Sequence, residues 1–191
     1  EAASYENLFL RKEIAGFRTN IRREQSCSIK SLTRDYLYKQ LLSSGEYTFD
    51  HMLVIKDPYG EAPLTALALF ILEEPACVRV TTKGNLKETD FVTELPKKKE
   101  HRVPILGMYA EKANDIVIEI LDDEGNCVKS HTFTIRTKRL PKSLRNVITV
   151  KKWTDKPAYS NIMINGGVKI HTCVFDIEGK IRYYLSRKPR G

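Results

Sequence analysis

Long apolar runs are missing from this sequence, and so are the patterns that mark specialised chains. Its 191 residues hold 10 Gly and 8 Pro, far short of a collagen-like or low-complexity composition. No apolar stretch approaches the roughly 18 residues that a membrane-crossing helix needs. The four cysteines, Cys27, Cys77, Cys127 and Cys173, stand far apart with no C-x-x-C pair, which excludes a zinc knuckle or a thioredoxin-type redox pair. An exported protein could pair four cysteines in three ways, and spacing does not choose among them; four free, mostly buried thiols are the expectation. There is no G-x-S-x-G, no G-x-x-x-x-G-K and no G-x-G-x-x-G, so neither a nucleophile elbow nor a phosphate-cradling loop is present. The first residue is Glu1 rather than Met, which predicts a processed chain or one that lacks its beginning.

What is present suits a folded domain. Hydrophobic residues make up 41% of the chain, enough to bury a core, and charged residues 29%. The 32 Lys and Arg exceed the 24 Asp and Glu by eight. Both signs are interspersed, so the balance reads as a soluble basic surface rather than a nucleic-acid footprint. The densest runs are Lys97–Lys99 and the group Lys138, Arg139, Lys142 and Arg145. Aromatics that would stack bases do not accompany them; Arg182 beside Tyr183 and Tyr184 comes nearest, inside a predicted strand.

Residues 1–46 have helical periodicity. Leu10, Ile14, Phe17 and Ile21 form one stripe. Ser31 suits an N-cap, Leu32, Tyr36, Leu37 and Leu41 an apolar side, and Gly45 a C-terminal stop. From Tyr47 the period becomes that of strands. Met52–Ile55, Leu64–Leu72, Val78–Thr82, Phe91–Leu95, Ile116–Leu121 and Val128–Arg136 are the predicted strands, separated by turns such as Asp57–Gly60 and Asp122–Asn126. Short strands with frequent turns predict an antiparallel β-sandwich over 47–141. Residues 142–191 read as a basic linker followed by strands at 162–164, 169–175 and 180–185, the last two joined at Asp176–Gly179. A lone hairpin is marginal in water, so this tail is expected to belong to a domain that continues beyond Gly191.

Catalytic chemistry needs a nucleophile or base, an orienting partner and a charge stabiliser. His51, His101, His131 and His171 each stand alone, with no metal-ligand spacing. His101, between Glu100 and Arg102, is expected to be solvated; His131 and His171 are expected to be strand histidines. Asp122, Asp123 and Glu124 lack the alternation of a calcium loop and read as a solvated hairpin tip.

Three segments carry a resemblance. They are D-P-Y-G-E-A-P-L-T-A-L from Asp57 to Leu67, P-I-L-G-M-Y from Pro104 to Tyr109 with Asn114 after it, and F-D-I-E-G-K-I-R-Y-Y-L from Phe175 to Leu185. In that order they resemble the N-terminal part of bacterial aryl-sulfate sulfotransferases, as does the stretch Thr134–Pro141. Their residues read as structural: Pro58 and Gly60 for a tight turn, Pro63 for a strand start, Gly107 for a bulge or close backbone approach. The resemblance implies an N-terminal immunoglobulin-like sandwich joined to a six-bladed β-propeller. It also implies transfer of a sulfuryl group from a phenolic sulfate ester to another phenol, through a transiently sulfated propeller histidine. None of the four histidines here matches that position. No catalytic, cofactor-binding or metal-binding residue is therefore predicted, and no cofactor. The expected partner is the protein's own C-terminal propeller; a homodimer, an upstream membrane tether and an exported or tethered location are further expectations, and nucleic acid is not. The competing readings are an independent Ig-like interaction module and, behind it, a basic nucleic-acid binder.

Overall fold

The computed structural model describes residues 26–146, 148–149, 161–164 and 172–186. The stripe Leu10–Ile21, the residue His171 and the first part of the predicted strand 169–175 lie outside the described residues. The order of elements is α1 (Ser26–Ser43), β1 (Leu53–Lys56), β2 (Ala66–Thr82), β3 (Phe91–Ile105), β4 (Ala113–Leu121), β5 (Cys127–Arg136), β6 (Asn161–Ile164), β7 (Cys173–Asp176) and β8 (Ile181–Tyr184). Among the described residues, the pairings between these strands are all antiparallel, as the turn spacing predicts.

The first sheet turns on β2. Its first half lies between β1 and the end of β3; its second half lies between β4 and the start of β3, with β5 outside β4. The sequence predicts two strands, Leu64–Leu72 and Val78–Thr82, where the chain forms one of 17 residues. Glu73-Glu74-Pro75 is a bulge rather than a turn. Ile71 pairs with Glu100 and Ala76 with Lys98, so Leu72–Pro75 face a single residue, Lys99. Pro75 cannot donate to a ladder, and an exposed bulge leaves that donor unneeded. β3 likewise runs far past the predicted Phe91–Leu95, through the lysine run to Ile105. Pro63 sits in a turn before β2 rather than at its start.

Alternation then sorts the side chains. Ala66, Ala68, Phe70, Leu72, Val78 and Val80 of β2 meet Val103 and Ile105 of β3, Ile116 and Ile118 of β4 and Ile135 of β5 in one buried cluster. Residues from both halves of β2 share it, so the sheet curls into two facing layers. Leu67 and Leu69 point the other way, with Leu53 and Ile55 of β1, and are covered by Tyr38 and Leu42 of α1. The first half of β2 is thus buried on both faces, which is why Leu64–Leu72 reads as an unbroken apolar run. Each such leucine removed from water contributes about 1.5–3 kcal/mol. The helix already runs through Ser31, which lies inside it rather than capping it, and Gly45 closes it at φ +73°.

β6, β7 and β8 form a second, three-stranded sheet, where the pattern predicts a strand and a hairpin. It does not stand apart. Cys173, Ile181 and Tyr184 are buried in the same cluster as the first sheet, with Leu144 from a short 3-10 turn at Lys142–Leu144.

Candidate functional site: a buried socket for Arg182

The three motifs of the sequence meet in space. P-I-L-G-M-Y leaves β3 at Ile105, and Gly107 takes φ +75°. A Cβ there would lie 2.6 Å from Cβ of Phe91, so the expected close approach is real and specifically excludes a side chain. The turn delivers Tyr109 inward. Asn114, at the start of β4, holds the Tyr109 backbone at both ends: its Oδ1 accepts from Tyr109 N at 2.7 Å and its Nδ2 donates to Tyr109 O at 3.0 Å. The same Nδ2 reaches the carbonyls of Lys112 and Ile135.

Into this frame β8 inserts Arg182, which has no solvent exposure, and β7 ends in Asp176, which has none either. Arg182 Nε donates to Gly107 O at 2.6 Å and Nη1 to Thr89 O at 2.8 Å. Nη1 also donates to Tyr109 Oη at 3.0 Å and to Asp176 Oδ2 at 3.2 Å. The guanidinium carbon lies 3.9 Å from the centre of the Tyr109 ring, a desolvated cation–π contact. Tyr109 Oη in turn donates to Asp176 Oδ2 at 2.9 Å and accepts from Asn85 N. Burial pushes the Tyr109 phenol up, against the lowering effect of bonds from Thr89 and Asn85, so it stays a donor. Asp176 Oδ1 accepts from the Glu178 and Lys180 amides and shapes the turn between β7 and β8. Among the described residues, Nη2 of Arg182 is the buried side-chain atom without a partner.

The first motif joins from two sides. Glu61 O accepts from Ser186 N just beyond β8. On the helix side, Tyr38 Oη donates to Pro58 O at 2.6 Å, Tyr59 Oη donates to Asp35, and Arg102 pairs with that same carboxylate. Gly60 at φ +73° bonds back to Asp57 and closes the predicted turn.

Among the described residues, His51, His101 and His131 do not converge. His101 is 2% exposed rather than solvated: its ring stacks on Phe70 and its Nε2 lies 2.8 Å from Lys98 O. Alternation along the longer β3 turns it inward, and burial pushes its pKa down. His131 is half-buried edge-to-face against Phe49, and His51 is exposed ahead of β1. Asp122 serves its own turn, accepting from Glu124 N and Asn126 N. Lys97 pairs with Asp123 and Arg139 with Glu111. Arg182 and Tyr184 are buried and offer no surface for stacking bases. The expectation of mostly buried thiols is corrected: Cys173 is buried, Cys77 half-buried and Cys127 exposed, and these three are free.

The arrangement is a polar core linking two sheets, with its hydrogen-bonding capacity turned inward. Sequence reasoning missed it, although one signal was there: an arginine set among Ile181, Tyr183, Tyr184 and Leu185 is out of place in a strand unless something buried receives it. Comparison with known proteins agrees with the motifs. Residues 53–138, from β1 to just past β5, match the family model of the arylsulfotransferase Ig-like domain. No curated protein matches the chain. The match takes in the first two motifs, Asn114 and the frame around Tyr109, so residues 53–138 are similar to the N-terminal Ig-like domain of arylsulfotransferases.

Proposed function

We propose that this chain is the non-catalytic scaffold of an aryl-sulfate sulfotransferase, and that sulfuryl transfer between phenols is the work of a propeller domain of the whole protein. The observation that carries the reading is the use made of the motif side chains. A sulfuryl-transfer site needs an accessible nucleophile facing cationic donors that hold the sulfuryl oxygens. Here Tyr109, Asn114, Asp176 and the Nε and Nη1 of Arg182 are bonded to each other and to backbone inside a buried cluster, with no solvent exposure at Arg182 or Asp176. The reading extends to an exported or membrane-tethered protein, on the strength of the family resemblance. A phenol-release assay on the purified chain with an aryl sulfate donor and a phenol acceptor tests it: no release above the uncatalysed rate is expected, and turnover that scales with protein overturns it.

A further inference from the structure

The socket described above has a ligand of its own. We propose that the Ig-like domain is a recognition module for the sheet that follows it, and that Arg182 is the residue read. The carbonyls of Gly107 and Thr89 and the face of Tyr109 come from the Ig-like domain; the guanidinium and its counter-ion Asp176 come from the second sheet. The ligand is thus a β-hairpin with an Asp at the end of one strand and an Arg six residues on.

Three features separate recognition from ordinary packing. A buried ion pair is a poor source of stability compared with apolar residues of similar volume, and its best-attested use is to fix which surfaces meet and in what register. The contacts demand a fork: Nε and Nη1 reach two different carbonyls while the guanidinium carbon lies 3.9 Å from the centre of a ring, which an ammonium cannot reproduce. The second sheet is also small, with strands of four residues, and sheets of that size need something to pack on. Its apolar side chains Cys173, Ile181 and Tyr184 find that support in the first sheet's core. Docking and folding of the second sheet are then one event, and the contacts of Arg182 to Gly107, Thr89 and Tyr109 form only on arrival.

This deepens the scaffold reading by naming its partner surface, but retention of the second sheet does not depend on whether the chain handles sulfate esters. The test uses the full chain with a protease site inserted after Lys152, cut in the folded state and passed over a sizing column at micromolar concentration. The two pieces of the parent chain are expected to co-elute. R182M and R182K are both expected to weaken the association at least tenfold, the lysine variant because charge alone does not satisfy the socket. Uncut R182M is expected to keep amide-exchange protection in β2 and β4. Separation of the parent pieces overturns the proposal. So does association of the R182M and R182K pieces as tight as that of the parent. Loss of protection in β2 and β4 of uncut R182M also overturns it, since Arg182 would then be needed to hold the Ig-like sheet itself rather than to dock an element on it.

Discussion

Two elements are fastened to the same Ig-like sheet by opposite means. The helix α1 covers the outer face through Tyr38 and Leu42 on Leu53, Leu67 and Leu69. Its ion pair, Asp35 with Arg102, sits at the rim, with side chains 41% and 39% exposed. The second sheet reverses this order. Its ion pair is fully enclosed, and Cys173, Ile181 and Tyr184 of the same sheet are buried in the shared apolar cluster. Apolar burial is non-directional and grows with area, so it holds a helix in place without fixing detail. Buried charges add little net stability but tolerate few alternatives. The contrast assigns the helix to cover and the second sheet to registered docking.

The sharpest way to break the comparison is R182M, which leaves Asp176 buried without its cation. The loss should be about 3–5 kcal/mol in the second sheet, read as a fall in the urea midpoint of that sheet's own unfolding, while β2 and β4 keep their amide protection. Leu42→Ala on the helix side opens a cavity over the outer face. It should cost about 2–4 kcal/mol by the same measurement, and should leave the second sheet's amide protection intact. If Leu42→Ala released the second sheet, the two fastenings would not be independent.

A pH titration sharpens the helix side further. Burial raises the Tyr38 phenol from 10.0 to about 12. The folded state therefore holds its proton where the unfolded chain has lost it. The stability from this group is complete below pH 10 and falls as pH rises toward 12, by on the order of 2 kcal/mol. Tyr38→Phe should flatten that alkaline slope in chemical denaturation run across the range. The smallest effect is expected at the rim: Asp35→Asn should change stability by less than about 1 kcal/mol, and less still in high salt.

These differences also explain what was legible in the sequence. β4 and β5 were readable because one face is buried and the other wet, so Ile116 and Ile118 alternate with Asp115, Val117 and Glu119. β2 reads as two strands because the charges and proline of Glu73-Glu74-Pro75 interrupt the apolar pattern, and only pairing across the bulge shows otherwise. His101 misled for the same reason: a run of charges looks solvated until the strand is known to continue and its phase is fixed. The motifs disclosed a family resemblance and their tight backbone positions, Gly60 and Gly107. They did not disclose that they meet, because the Arg182 contacts span 75 and 93 residues of chain to Gly107 and Thr89. Local pattern carries no term for that distance.

The central claim is that the side chains of this chain hold a frame together while the reacting nucleophile belongs elsewhere. Its most direct test is mass spectrometry of the chain after rapid quenching from an aryl sulfate donor, searching His51, His101, His131 and His171 for a sulfuryl adduct. The account predicts four unmodified imidazoles; a sulfuryl group on any one of them, formed and then discharged on adding a phenol, would contradict it.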